Sequence, residues 1–535
     1  MGFRASILTM LAVTVACGGK AEKLSGQNPQ DGRWGDRVFY EVFVRSFADS
    51  NGDGRGDLAG LTARLDQLND GDPSTSTDLG VEALWLMPIM TSPSYHGYDV
   101  TNYVEVEPDY GTLADFDALT AAAHARGIKV ILDFVANHTS SQHPWFVDSV
   151  QGVGGRRDWY EWSATDPGWK RPWDGASGTW HPQNGAWYYG VFTASMPDLK
   201  LDTPAVEDAL VSAMTFWLDH GADGFRLDAA RYLVETGPGA GQADSDATHA
   251  FLKRLRARLA VKHADVFLVG EVWTALERAA LYRGAGDELS AVFAFDAAAA
   301  TVSGLASGNA GNLSAALGRA NAALPGHVDF QAPFLTNHDQ VRIARQVGGE
   351  AAALRLGAAI LLAQPGPPFL YYGEELGMMG GASSDDRDKR TPMRWDAALP
   401  YAGFTTGSPW YLGADEAAGV DVAAQRVDPG SLWNLYRRLI ALRRATPALA
   451  GGDLALPSAT GGGDGLLALV RTLDGKRVLF VANLGKAPTG AFTLNVQGTP
   501  TVLLAEGLST PPSPAAGALA FPDLAARGWA YLTLN

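Results

Sequence analysis

The chain has 535 residues, of which 46% are hydrophobic and 19% charged, and this composition indicates folded globular domains rather than a disordered or membrane-embedded protein. A net charge of −16 argues against a nucleic-acid partner, which would require a basic face. The only cysteine is Cys17, which excludes an internal disulfide bond.

The N-terminal residues carry an export signal pattern. Residues 5–16 are largely apolar and are followed directly by Cys17. This pattern resembles a bacterial lipoprotein signal, which is cleaved before a cysteine that is then lipidated. We predict a signal peptide over residues 1–17, lipidation of Cys17 and a tether over residues 18–33. The protein would then be an exported cell-envelope lipoprotein of the outer membrane, periplasm or cell surface, with membrane contact only through its lipid anchor. Thr14 stands where leucine is usual, so ordinary signal cleavage and a chain without export are the alternatives.

Strand-like runs then alternate with Ala-, Leu- and Arg-rich segments whose apolar residues have helical spacing. Eight such units in a row predict an α/β fold, a (β/α)₈ TIM barrel formed by residues 34–138 and 203–446. The predicted strands are residues 38–47, 83–89, 129–135, 224–228, 266–272, 291–295, 332–337 and 368–372.

Two segments depart from the alternation. Residues 139–202 are rich in Trp, Tyr, Gly, Pro and Asp without helical periodicity, and a loop of that length predicts a small inserted domain after the third strand. Residues 447–535 contain short alternating runs separated by Gly, Pro and Asp turns, which predict a C-terminal antiparallel β-sandwich domain.

Polar clusters end four of the predicted barrel strands, which is where barrel enzymes carry their chemistry. Three of these clusters supply a carboxylate from strands far apart in sequence: Asp228, Glu271 and Asp339. Cleavage of an acetal needs one carboxylate that attacks or stabilises and a second carboxylic acid that protonates the leaving oxygen. Taken singly, each residue is equally consistent with an ion pair in the barrel core or a strand-end carboxylate.

Together these clusters resemble the signature regions of the α-amylase family, glycoside hydrolase family 13. They read Asp-Phe-Val-Ala-Asn-His at 133–138, Gly-Phe-Arg-Leu-Asp at 224–228, Val-Gly-Glu-Val-Trp at 269–273 and Thr-Asn-His-Asp at 336–339. Residues 196–199 and 366–375 match further family regions, and the former resembles the group between oligo-1,6-glucosidases and neopullulanases. The resemblance implies that residues 139–202 are domain B and residues 447–535 domain C.

The resemblance also implies roles for single residues. Asp228 would be the nucleophile, kept ionised by Arg226 on the same strand face, and Glu271 the general acid and base. Asp339 would stabilise the transition state. The implied substrate-binding residues are Tyr98, His138, Arg226, His338 and Arg231, the last standing where amylases commonly have lysine. A metal site on the histidines is the alternative, although no His-x-x-x-His pair or cysteine cluster is present.

A calcium-loop pattern occupies residues 49–57, with oxygen-bearing side chains at alternate positions and glycine at the sixth. It predicts a structural Ca²⁺ held by Asp49, Asn51, Asp53, the Arg55 carbonyl and Asp57. Gly60 stands where an EF-hand has glutamate, so Asp57 would have to close the site. An Asp- and Gly-rich turn without an ion is the alternative.

The implied reaction is retaining hydrolysis of α-glucosidic bonds in starch, glycogen or maltooligosaccharides. In the family, the tyrosine equivalent to Tyr98 stacks on the substrate sugar, and exo-acting relatives carry an aspartate three residues before it. This chain has Tyr95 at that position, which favours endo cleavage by an α-amylase. Residues 390–396 and 403–405 instead resemble α-glucosidases and trehalose-forming relatives. An exo-acting α-glucosidase, a neopullulanase or cyclomaltodextrinase, a transglycosylase and a non-catalytic starch-binding lipoprotein are the alternatives. We expect a monomer with an α-glucan as its partner.

Overall fold

The computed structural model describes residues 34–413 and 416–535. The predicted signal peptide, the tether and Cys17 lie outside these residues. Among the described residues, no helix is long and apolar enough to cross a membrane.

Eight parallel strands form the barrel, as predicted. The strands are β1 Phe39–Val42, β2 Ala83–Leu86, β3 Lys129–Phe134, β4 Gly224–Leu227, β5 Phe267–Gly270, β6 Ala291–Phe293, β7 Gln331–Ala332 and β8 Phe369–Tyr371. From β1 to β7 each strand pairs with the next in chain order, and β8 pairs with β1. Phe334, just after β7, bridges Phe369 on β8, which nearly closes the ring.

All eight predicted strands end later than the observed ones, and the first and seventh extend furthest, by five residues each (47 against 42 and 337 against 332). The first ends at Val42, because residues 44–46 turn into a short 3₁₀ helix that leads into the loop at residues 49–57. The seventh ends at Ala332, where Pro333 lacks the N–H needed to continue the ladder. In both cases the buried apolar run continues past the strand as loop.

The barrel interior is a packed core of side chains from alternate strand positions. Its large members include Phe39, Trp85, Phe267, Phe293 and Phe369, all at most 4% exposed. Helices cover the outside of most of the ring. The α-helices are α1 Leu58–Ala63, α2 Leu65–Leu68, α3 Leu113–Ala125, α4 Pro144–Gln151, α5 Pro204–Asp219, α6 Asp246–Ala260, α7 Leu276–Ala279, α8 Phe295–Ser307, α9 Gly311–Ala323, α10 Ile343–Gln346, α11 Ala351–Ala363, α12 Val422–Val427, α13 Leu432–Ala445 and α14 Pro447–Gly451.

The excursion after β3 contains α4 and a small antiparallel sheet of Trp162–Ser163, Ala186–Tyr189 and Trp180–Gln183. Asp198 holds this excursion against the segment after β3. Its side chain accepts a 3.0 Å hydrogen bond from the Asn137 amide, and its backbone pairs with His138 through a β-bridge. A second antiparallel pair, Met90–Thr91 with Asn102–Val106, follows β2. Both excursions extend from the carboxyl ends of barrel strands.

The C-terminal residues form two antiparallel sheets. One contains Asp453–Ala455, Leu466–Leu473, Lys476–Asn483, Trp529–Leu534 and Pro500–Glu506, and the other contains Ala459–Gly461, Phe492–Leu494, Ala518–Phe521 and Ser513–Ala515. Side chains from both sheets share one apolar core, so they pack face to face as the sequence predicted.

A buried arginine of these sheets, Arg471, contacts the barrel, and a second buried arginine, Arg443, lies in the barrel beside it. Arg443 on α13 donates to the carbonyls of Leu362, Gln364 and Gly366. Arg471, in the first C-terminal sheet, donates to the carbonyls of Leu449 and Gly452 at the end of α14, and to Ala363 at 3.4 Å. The terminal nitrogens of both cations therefore donate to backbone oxygens near the end of α11 and, for Arg471, along α14.

Candidate active site

Arg226 is the centre of a carboxylate cluster at the carboxyl ends of β3, β4 and β5. One terminal nitrogen donates to Asp133 and to Asp228, at 2.7 Å each, and the other lies 3.0 Å from a Glu271 oxygen. The guanidinium is only 1% exposed. A single buried cation thus contacts three carboxylates from three strands.

Strand register produces this convergence. Arg226 lies beside Asp133 on β3 and beside Val269 on β5. Side chains two positions apart share a strand face, so Asp228 and Glu271 stand one step further along the same face. The sequence predicted the Arg226–Asp228 pair but assigned no role to Asp133.

The turn after Asp228 contributes to the geometry. Ala229 has a φ of 51°, the left-handed conformation that a residue with a side chain rarely adopts. In this conformation its backbone N–H donates to Glu271 at 3.1 Å. Backbone strain at the end of β4 therefore helps to position the carboxylate at the end of β5.

The two carboxyl groups differ in their proton affinity. Burial raises the pKa of Glu271 to about 7, opposed by Arg226 and reinforced by the negative charges of Asp228 and Asp339. Burial also raises the pKa of Asp228 to about 6, with Arg226 again opposing. Of the two carboxyl groups, Glu271 thus has the higher pKa, which favours Glu271 as the proton donor and Asp228 as the ionised partner.

Asp339 has the opposite electrostatic surroundings. Burial alone would raise its pKa, but His338 and Arg390 hold the pKa of this carboxyl well below its usual range. His338 Nε2 lies 3.2 Å from one Asp339 oxygen, and Arg390 donates to the other at 2.9 Å. Asp339 is therefore a permanent negative charge at neutral pH.

Glu41 and Arg390 are two residues of this group that the sequence reasoning missed. Glu41, on β1, accepts a hydrogen bond from His338 Nδ1. Although burial would lower the pKa of His338, Asp339 and Glu41 raise it to about 9. Glu41 could have been recognised in the sequence as a lone carboxylate inside an apolar strand run. Arg390 could have been recognised only through the family motif that contains it.

Tyr98 lies over His338 within this cluster. The two rings stack 5.6 Å apart at 16°, and the Tyr98 hydroxyl donates to Asp133 at 3.0 Å and lies 2.6 Å from His338 Nε2. His138 is 2% exposed, and among the described residues its Nε2 has no hydrogen-bond partner. Burial lowers the pKa of His138 to about 4, so it is neutral at physiological pH.

Arg231 lies next to the cluster with its donors engaged. It forms two hydrogen bonds to Asp244, at 3.0 and 2.6 Å, and one of 2.7 Å to the carbonyl of Trp273. These contacts tie the loop after β4 to the loop after β5. A direct contact of Arg231 with a substrate stays a prediction.

In the loop at residues 49–57, backbone N–H groups donate hydrogen bonds to the aspartate side chains of the same loop. Asp49 accepts backbone hydrogen bonds from Asn51, Gly52 and Gly54 and one from the Thr405 hydroxyl, while Asp57 accepts from Ser50 and Gly60. Among the described residues, no three His, Cys, Asp or Glu side chains are grouped closely enough to hold a metal. A calcium site here would therefore need Asn51 and the Arg55 carbonyl as well, and such an all-oxygen donor set fits Ca²⁺.

Comparison with known proteins gives the family. The family model described as "Alpha amylase, catalytic domain" matches residues 41–452. The chain belongs to the α-amylase family. It is a glycoside hydrolase of family 13 that acts on α-glucans.

Relatives within the α-amylase family differ in their reported activities. Over 457 residues the chain is 36% identical to Alpha-amylase 3 of Dictyoglomus thermophilum, covering 84% of this chain and 85% of that protein. It is 34% identical to a probable alpha-glucosidase of Rhizobium meliloti, covering 84% and 89%. The crystal structure of an alpha-amylase from H. orenii superposes with a TM-score of 0.80 at 36% identity, covering 93% of this chain and 99% of that one.

Proposed function

We propose that the protein is a retaining, endo-acting α-amylase that cleaves α-1,4-glucosidic bonds in starch, glycogen or maltooligosaccharides. The observation that carries the proposal is the single Arg226 guanidinium that contacts both Asp228 and Glu271. Retaining cleavage needs two neighbouring carboxyl groups in different protonation states. The surroundings of Asp228 and Glu271 favour such a difference.

Each carboxyl then has a step in the reaction. Glu271 protonates the glycosidic oxygen while Asp228 attacks the anomeric carbon, which forms a covalent glycosyl-enzyme and releases the leaving sugar. Glu271, now ionised, takes a proton from water, and the water oxygen displaces Asp228 with net retention. The permanent charge of Asp339 stabilises the oxocarbenium-like transition state, with Tyr98 and His338 against the same sugar ring.

The surroundings of Tyr95 support endo cleavage. Its ring stacks on Trp410 at 5.4 Å and 26°, and the Arg390 guanidinium lies 5.8 Å from its ring centre. The position three residues before Tyr98 thus offers an aromatic ring rather than a carboxylate that would bind a chain end. Exo cleavage by an α-glucosidase is the second candidate, favoured by the relative from Rhizobium meliloti.

A product time course on soluble starch and on maltotriose separates these two candidates. An endo-acting enzyme will release mixed oligosaccharides early, with rapid loss of iodine staining. Glucose alone from the start, with iodine staining that persists, would contradict the amylase assignment. Retention at the anomeric carbon is read by NMR, and an initial β-anomer would contradict the double displacement.

The pH dependence of activity follows from the two raised pKa values. Since Asp228 must be ionised, kcat/KM will fall as the pH drops below about 6. Since Glu271 must be protonated, kcat/KM will fall as the pH rises above about 7. We expect a bell-shaped profile with its maximum between these values, measured on maltotriose, whose leaving oxygen needs a proton. A profile that is flat to alkaline pH would contradict Glu271 as the acid.

We also propose that residues 49–57 hold a structural Ca²⁺. The loop packs backbone to backbone against residues 404–410, with Asp49 N–H donating to Phe404 and Trp410 N–H donating to Gly54, so ordering one segment orders the other. Calcium at a hundredfold excess over its Kd stabilises a folded protein by about 2.7 kcal/mol. Chelation will therefore lower the Tm by on the order of a few degrees, and Ca²⁺ will restore it.

Asp53→Asn is the variant that tests the calcium proposal, because the Asp53 side chain is 40% exposed and its loss disturbs little packing. It should reduce the calcium-dependent Tm shift, while Asp66→Asn, at a side chain 64% exposed outside the loop, should leave it unchanged. An identical Tm in chelator and in calcium would refute the proposal.

The predicted anchor at Cys17 is a further proposal that rests on the sequence alone. Cys17→Ser will release the protein from the membrane fraction and prevent incorporation of labelled fatty acid. Release of the unsubstituted protein into the medium would instead favour ordinary signal cleavage.

A further inference from the structure

Three aromatic side chains join the excursion after β3 to the loop after β4. Trp173 and Phe192 belong to the excursion, and Tyr232 ends the short 3₁₀ helix Ala230–Tyr232. The ring centre of Trp173 lies 5.4 Å from that of Phe192 and 5.5 Å from that of Tyr232. The ring centres of Phe192 and Tyr232 are 5.9 Å apart. Each ring therefore packs against the other two, and these three side chains are called the aromatic wall below.

One end of the aromatic wall contacts the catalytic site at His138. The Phe192 ring lies 5.3 Å from the His138 imidazole. The position of Phe192 is fixed by its neighbour in the chain, because the Val191 N–H donates a 3.0 Å hydrogen bond to Asp198. Asp198 is the residue that holds the excursion against the segment after β3. This end of the wall thus has a fixed place beside His138.

The other end of the aromatic wall lies on the side of Glu271. Arg231, which precedes Tyr232, donates a 2.7 Å hydrogen bond to the carbonyl of Trp273. Trp273 in turn stands two residues after Glu271. Burial raises the pKa of Tyr232, Arg231 opposes this, and the charge of Glu271 reinforces it, as expected for a hydroxyl group near that carboxylate. Under the proposed function Glu271 protonates the leaving oxygen, so the departing sugars lie beside this end of the wall.

Trp173 is the outermost member of the aromatic wall. It is 44% exposed, whereas Phe192 and Tyr232 are half-buried. A charged pair holds its indole from the other direction, because the Arg171 guanidinium lies 5.5 Å from the ring centre and contacts Asp174 at 2.7 Å. The exposed part of the indole is therefore an apolar surface held in one orientation.

A fixed apolar surface at this place discriminates between linear and branched glucans. An α-1,6 branch adds a whole sugar, whose hydroxyl groups would lose water against the wall without gaining hydrogen-bond partners. Trp173 also borders a cavity of about 550 Å³, together with the rest of residues 167–175 and with Pro238, Gly239 and Gln242. Removal of the indole would therefore enlarge an existing space and make room for a branch.

We propose that Trp173 is a specificity residue that keeps α-1,6 branches out of the leaving side of the cleft. The identity of the leaving side rests on the proposed function, whereas the wall itself rests on the ring contacts. The enzyme would cleave α-1,4 bonds within unbranched stretches of a glucan and spare the bonds whose leaving sugar carries a branch.

The test compares three forms of maltotetraose. One is linear, one carries an α-1,6-linked glucose on the second sugar from the reducing end, and one carries it on the second sugar from the non-reducing end. Cleavage of the central bond places the first branch on the leaving side and the second branch on the side that Asp228 retains. Relative to the linear substrate, Trp173→Ala should raise kcat/KM about tenfold for the leaving-side branch. It should not change this ratio for the retained-side branch.

Two further variants complete the test, with the Tm of each measured. Tyr401→Ala is the matched control, because Tyr401 is 45% exposed in the loop after β8 and lies outside the aromatic wall. It should change neither ratio. Trp173→Leu keeps an apolar side chain of smaller size, so it serves if the alanine variant is unstable. It should give a smaller rise in the same direction.

An unchanged ratio for the leaving-side branch in a folded Trp173 variant would overturn the inference. An equal fall in kcat/KM on all three substrates would also overturn it, because Trp173 would then be a binding platform. Release of glucose alone from the non-reducing end would refute endo cleavage but not the wall. In that case the leaving sugar is the second from the non-reducing end, and Trp173→Ala should relieve the branch on that sugar.

Discussion

Asp228→Asn will lower kcat on maltooligosaccharides by on the order of 10⁴-fold or more, because the amide cannot attack the anomeric carbon. Glu271→Gln will lower kcat to a similar extent on natural substrates, whose leaving oxygen needs a proton. In both variants the substituted amide has nearly the same shape as the original acid, so the fold should persist. The measurement is single-turnover kinetics together with the Tm of each variant.

The substrate α-maltosyl fluoride separates the two roles, because fluoride leaves without protonation. Glu271→Gln should form the glycosyl-enzyme from this substrate at a rate near that of the unsubstituted enzyme, whereas Asp228→Asn should not form it. Asp208→Asn, at a side chain 67% exposed, is the matched control and should change neither rate. Equal losses on the fluoride for both catalytic variants would contradict the assignment of Glu271 as acid.

Arg226→Ala should have the second largest effect, because it leaves Asp133, Asp228 and Glu271 without their shared cation. Removing one partner from a buried ion pair costs about 3–5 kcal/mol. We expect a loss of stability of this order and a loss of most activity. Without the cation the pKa of Asp228 will rise further, so the acidic limb of the pH profile will move to higher pH.

Arg226→Lys distinguishes charge from geometry at this position. An ammonium group is a single point charge and cannot reproduce the two terminal nitrogens that contact Asp228 and Glu271 separately. We expect partial recovery of Tm with little recovery of kcat. Arg254→Lys, at a side chain 48% exposed, is the control and should leave both values unchanged. Full recovery of kcat would show that the charge alone suffices.

The barrel could be predicted from the sequence because its strands are contiguous apolar runs that each end in a polar cluster. The predicted strand 224–228 differs from Gly224–Leu227 by a single residue. The Arg226–Asp228 contact was predictable for the same reason, since strand geometry places residues two apart on one face. Local patterns of this kind need no knowledge of the rest of the chain.

Contacts between distant residues could not be predicted in this way. Glu41 and His338 are separated by 297 positions, and their hydrogen bond exists only because closure of the ring brings β1 and the loop after β7 together. The strands of domain B are two to four residues long, too short for a period to show in the sequence. The hydrogen bonds of Arg231 to Asp244, 13 residues further on, were likewise indicated by no local pattern.

Arg443 of the barrel and Arg471 of the C-terminal sheets act together as a cap on one helix, α11. The carbonyls at the end of α11 are the negative end of a helix dipole, and Arg443 and Arg471 supply them with positive charge from two different domains. The chain then enters β8, which pairs with β1 at Glu41. The C-terminal domain thus contacts, through Arg471, the end of the helix that precedes β8, and β8 pairs with the strand whose Glu41 accepts a hydrogen bond from His338.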